Sequence, residues 1–118
     1  MNPLPMALAS AVLLAGLPTE GLAADGAKVF ALQCKSCHQA KSTLMGPSLK
    51  GVAGGKIAAV KDFKYSPALK AKLGLWTDAQ LDLFLTTPAK FAPGNRMPTG
   101  VASAADRLAV IGYMKTLK

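Results

Sequence analysis

With 118 residues the chain has room for one small domain at most. Fourteen Lys and Arg against six Asp and Glu give a net charge of +8, yet the basic residues are scattered, with no basic run and no aromatic-basic ladder, which argues against nucleic-acid binding. Two cysteines and one histidine are too few for a zinc site built from four such ligands.

Met6 to Leu17 is an uncharged apolar run, followed by Pro18 and then by Gly21-Leu22-Ala23-Ala24. That order predicts a secretory signal peptide over 1–24, cleaved after Ala23 or Ala24, although Met1 to Pro5 holds no Lys or Arg. An uncleaved membrane anchor is the rival reading, but the run is short for a span that needs about 20 residues. The predicted mature domain, 25–118, keeps all 14 basic residues and loses only Glu20 among the acids, for a formal charge of +9. A basic domain of this kind is suited to steering toward acidic protein partners.

Asp25 is placed to cap a first helix running to about Gln33, with Gly26, Phe30 and Cys34 four apart along one face. Residues 39–65 are rich in Gly, Pro, Ser and Thr and keep no sustained period, so loops are expected there. Ser66-Pro67 opens a short second helix, with Pro in the first helical position and Gly74 beyond the end. Thr77 to Gln80 has the capping-box pattern of a third helix, with Trp76 and Leu81 spaced as a hydrophobic staple. Pro88 is expected to end that helix, and 89–102 to be another loop containing Pro93-Gly94-Asn95-Arg96-Met97-Pro98. Ser103 with Asp106 caps a last helix whose apolar residues recur at Val110, Ile111, Met114 and Leu117. No segment demands a strand.

The most specific motif is Cys34-Lys35-Ser36-Cys37-His38, which uses both cysteines and the single histidine. C-x-x-C-H is the attachment signature of c-type haem. Two thiols one turn apart can bond the two vinyl groups of one porphyrin, and the adjacent imidazole then falls under the iron. A thioredoxin-like pair would sit beside a βαβ pattern, and none occurs here. A disulfide between cysteines this close would be strained and would close almost no loop. A covalently held porphyrin also supplies apolar surface to a chain that is small for a self-sufficient core.

A six-coordinate haem needs a second axial ligand, and without a second His the natural one is methionine. Met1 and Met6 fall in the predicted signal peptide. Met45 follows His38 closely, on the stretch expected to pass the proximal side, and Met114 lies on an amphipathic face suited to core packing. Met97, in the Pro/Gly-punctuated loop, is the favoured ligand.

Taken together, these residues resemble the class I cytochromes c, of the bacterial cytochrome c2 and mitochondrial-like type, from Gly26 to about Leu117. The resemblance implies an all-α cytochrome c fold, with N- and C-terminal helices packed together and short helices and Ω-loops wrapped around one covalent haem c. Gly26 and Phe30 would meet Val110 and Tyr113. Cys34 and Cys37 would hold the haem, and His38 and Met97 its iron. Pro47, after Gly46, would accept the imidazole N–H, Tyr65 and Trp76 would bond a haem propionate, and Asn95 would support the methionine loop. Two departures stand out: Gly55 where relatives often carry an Arg near a propionate, with Lys56 next to it, and Phe84 where they often carry a Tyr bonding the methionine sulfur.

The implied function is that of a periplasmic monohaem electron carrier, a monomer and not an enzyme, shuttling one electron between acidic donor and acceptor proteins. Lys35, Lys90 and Arg96 would rim the exposed haem edge and dock those partners. Two other readings remain open: a haem enzyme or gas sensor with a labile Met97, and a dedicated haem subunit of a dehydrogenase or oxidase complex.

Overall fold

The computed structural model describes residues 2–4 and 24–118. Most of the predicted signal peptide lies outside the described residues. Among these described residues five helices follow in order: α1 (Gly26–Gln33), α2 (Pro67–Lys70), α3 (Asp78–Thr86), α4 (Pro88–Phe91) and α5 (Ala104–Met114). Among the described residues the only β-type pairing is an isolated antiparallel bridge between Lys56 and Leu75. None of the helices there is long and apolar enough to cross a membrane.

Four helices start where a side chain can satisfy an orphan N–H. Asp25 accepts from Ala27 and Lys28, Ser66 from Leu69, Thr77 from Gln80, and Ser103 from Asp106. The capping box at Thr77 is only half formed, because the Thr77 N–H donates to the Leu75 carbonyl at 2.8 Å instead of to Gln80. Residues 89–102 are not wholly loop. Pro88 ends α3 and, as the first residue of α4, starts a new turn there.

α1 packs against α5, and α3 against both α4 and α5. The α1–α5 crossing is close because of Gly26. A Cβ there would run into the Ala109 carbonyl and come within 2.9 Å of the Tyr113 Cβ. One turn on, the Phe30 and Tyr113 rings meet at 5.2 Å, tilted by 52°. Val29, Val110, Ile111 and Met114 complete the buried seam. Val110 is fully buried, a burial worth about 1.5–3 kcal/mol.

Trp76 and Leu81, the expected staple pair, are both buried. Trp76 is held by its backbone, with its N–H bonded to the Gly55 carbonyl at 2.7 Å and its carbonyl to the Gly54 N–H at 2.8 Å. Its ring stacks on Phe91 at 5.5 Å and tilts against Phe84 at 5.3 Å. Phe84 and Phe91 also meet edge to face at 5.5 Å, which joins α3 to α4.

Candidate haem-binding site

A cavity of about 260 Å³ opens between the end of α1, the 43–52 loop, α3 and the 95–99 loop. Its walls are largely apolar, supplied by residues such as Leu49, Phe63, Leu69, Phe84 and Val110. Cys34, Cys37 and His38 line it together with Met97.

The cysteine side is built by the exit from α1. Cys34 caps the helix through its N–H to the Phe30 carbonyl at 2.9 Å, and the Cys34 carbonyl then accepts from Cys37 and His38 at 3.2 and 3.0 Å. That turn places both sulfurs and the imidazole along the same cavity. The two cysteines are not joined in a disulfide. Burial pushes the Cys34 thiol up to about 11, so it is neutral at physiological pH.

His38 Nδ1 lies 2.9 Å from the Pro47 carbonyl oxygen. A carbonyl only accepts, so Nδ1 carries the proton and Nε2 keeps its lone pair free for a metal. The loop can come this near because residue 46 is glycine. A Cβ at Gly46 would sit 2.9 Å from the Cys37 carbonyl and 3.0 Å from two atoms of the His38 ring.

The loop bearing Met97 is tied down by Asn95. Its Nδ2 donates to the carbonyls of Pro88 and Ala92, each at 2.8 Å, and its Oδ1 accepts the Met97 N–H at 2.8 Å. Met97 itself is half-buried against the core. Of the other methionines in the 25–118 domain, Met114 is buried in the helix seam and Met45 is exposed at the cavity rim.

Tyr65 and Trp76 line this cavity and also a second one of about 320 Å³, which is bordered by Lys50, Gly55 and Lys56. The Tyr65 hydroxyl accepts from the Val60 N–H at 3.2 Å. Burial holds the Tyr65 phenol above its ordinary range, the Val60 bond works against that, and the Asp62 charge adds to it. Lys35, Lys90 and Arg96 are all exposed, but only Arg96 lines the cavity; Lys35 lies between its two cysteine-side residues Cys34 and Ser36, and Lys90 sits on α4 away from the lining.

Two contributors escaped the sequence. Arg107 donates from Nε to Asp82 at 2.8 Å and from a terminal nitrogen to the carbonyls of Val101 and Ala102 at 2.9 and 3.0 Å, which fixes the chain just beyond the Met97 loop. Ser42 bonds Asp62 and the Ser48 N–H, next to Pro47. Neither partnership has a local signature, because the residues involved are far apart in sequence.

The donor set suits covalent haem. An apolar slot, two cysteine sulfurs and an imidazole of fixed tautomer share one cavity with a thioether. Among the described residues no three His, Cys, Asp or Glu side chains converge as a separate metal site. An all-helical chain folded around such a slot is a class I c-type cytochrome.

The comparisons with known proteins agree. The cytochrome c family profile matches residues 23–118. A cytochrome c-type cyt cy of Rhodobacter capsulatus is 42% identical over 99 residues, covering 82% of this chain and 50% of that protein, so the chain spans half the length of this relative. Cytochrome c2 iso-1 of Magnetospirillum molischianum is 42% identical over 91 residues, covering 73% of this chain and 91% of the relative. The solved structure of cytochrome cH from Methylobacterium extorquens superposes with a TM-score of 0.70 at 36% identity, over 79% of this chain and 99% of the other. The chain belongs to the cytochrome c family, and its cofactor is covalently bound haem c.

Proposed function

We propose that this protein is an extracytoplasmic one-electron carrier whose haem is bonded through Cys34 and Cys37 and ligated by His38 and Met97. The observation that carries the reading is the pairing of the Pro47-fixed imidazole and the Asn95-fixed thioether on one apolar cavity. When bound, haem c supplies an Fe(III)/Fe(II) couple. His38 and Met97 together leave no open position for a substrate or a gas. The apolar wall around Trp76 and Phe84 excludes water and keeps the cavity at low dielectric, which favours the less charged state. Rigid holding of both ligands keeps their positions alike in the two oxidation states. Tyr65 and Trp76, shared by both cavities, are suited to receive a haem carboxylate, with Lys56 supplying positive charge where Gly55 has none.

Export to the periplasm, with removal of residues 1–24, places the protein among redox enzymes of the respiratory type. Lys35, Lys90 and Arg96 dock acidic donors and acceptors weakly and briefly. Two measurements test the reading. The reduced protein is expected not to bind carbon monoxide at neutral pH, and its electron exchange with an acidic redox protein is expected to slow as ionic strength rises. Ready carbon monoxide uptake would make it a sensor or enzyme, and a salt-independent rate would remove the docking role.

A further inference from the structure

The Pro47–Ser48 peptide joins two hydrogen bonds. Its carbonyl accepts from His38 Nδ1 at 2.9 Å, and its N–H donates to Ser42 Oγ at 2.8 Å. The same Ser42 hydroxyl donates to Asp62 Oδ1 at 2.6 Å, across twenty residues of sequence. One unbroken chain therefore runs from the imidazole, through a single amide and a hydroxyl, to a carboxylate.

Each link polarises the next in one direction. A carboxylate drawing on the Ser42 proton makes Oγ a better acceptor. A stronger pull on the Ser48 N–H puts more negative charge on the oxygen of the same amide. The Pro47 oxygen then draws harder on the His38 proton, and the ring gains electron density at Nε2. Metal-bound histidines often donate directly to a carboxylate for the same effect. Here the carboxylate stands at the surface and is connected through a peptide group.

We propose that Asp62 and Ser42 are positioning residues that set the electron-donating strength of His38 through this relay, and so hold the reduction potential down. The proposal rests on His38 being the proximal ligand. A bare charge effect of Asp62 is the competing account, and solvent weakens it because the carboxylate is exposed. The two accounts differ in whether Ser42 is needed.

The test is a double-mutant cycle on the haem-loaded protein with Asp62→Asn, Ser42→Ala and both together, read by midpoint potential and by the proton resonance of His38 Nδ1–H. Asp62→Asn keeps an acceptor for the Ser42 hydroxyl while removing the charge. Each single substitution is expected to raise the midpoint and move the resonance upfield, toward a weaker hydrogen bond. In the Ser42→Ala background, Asp62→Asn is expected to add little. Ser42→Thr, which keeps the hydroxyl, is expected to restore the wild-type values. Additive midpoint shifts, or an unmoved His38 resonance, would overturn the relay. An unligated His38 would instead show as a wild-type spectrum that is not low-spin, which separates that failure from the failure of the relay.

Discussion

Replacing Asn95 with alanine removes three hydrogen bonds from the Met97 loop at once. The losses are unequal. The Pro88 carbonyl keeps the Ala92 N–H at 3.0 Å, and the Ala92 carbonyl keeps the N–H of residue 95 at 3.1 Å, so each of these losses costs about 0.5–1 kcal/mol. The Met97 N–H loses its side-chain acceptor, which costs about 1 kcal/mol more. The sum, about 2–3 kcal/mol, favours loop opening by about 30- to 150-fold at 1.4 kcal/mol per decade. A ligand that binds only when Met97 is displaced reads this directly, since its apparent affinity scales with the open fraction. Titrating the ferric protein with imidazole is therefore expected to give an apparent affinity higher by that factor in Asn95→Ala. Asn95→Asp keeps the acceptor for Met97 but sets a carboxylate against two carbonyls, and is expected to do no better than alanine. An Asn95→Ala affinity within about threefold of wild type would refute the reasoning.

The same geometry makes other outcomes specific. Gly26→Ala is expected to lower the thermal midpoint by about 4–8 °C per kcal/mol, for an overpacking cost of about 1–3 kcal/mol, whereas Gly112→Ala, whose added Cβ meets nothing within 4 Å, is expected to leave the midpoint level or raise it. Followed by NMR, Tyr65 is expected to ionise above the ordinary tyrosine range. Loss of the Asp62 charge should bring it down, because that charge disfavours the phenolate; an unchanged titration in Asp62→Asn would contradict the assignment. Mass spectrometry of the exported protein under denaturing conditions is expected to give a chain beginning at Ala24 or Asp25 with haem retained. A mass that includes residues 1–24 would favour the anchored form.

Much of this architecture was legible because its signals are local. Asp25, Thr77 and Ser103 each precede a helix they cap in the structure, and the spacing of Gly26 and Phe30 put them on one face, although that this face meets α5 came from the family resemblance. The haem motif was likewise a local signal, whereas Gly46-Pro47 was legible only through the family resemblance, and the structure supplies its physical cause in the close approach of that loop to His38. Pro88 misled in part, because one proline both stops α3 and opens α4, and only the second role supplies the carbonyl that Asn95 uses. Phe84 was noted as a missing hydroxyl, and the structure gives it an aromatic setting against Trp76 and Phe91. The Asp82–Arg107 and Ser42–Asp62 contacts were invisible, because each joins polar residues more than a dozen positions apart with no period between them.

Ligation of the iron by His38 and Met97 underlies all of the function proposed. Its most direct test compares ferric near-infrared spectra of Met97→Ala, Met45→Ala and Met114→Ala. The sulfur-to-iron charge-transfer band is expected in wild type, Met45→Ala and Met114→Ala, and to vanish in Met97→Ala together with a fall in midpoint potential. A band and midpoint that survive the loss of Met97 would contradict the account.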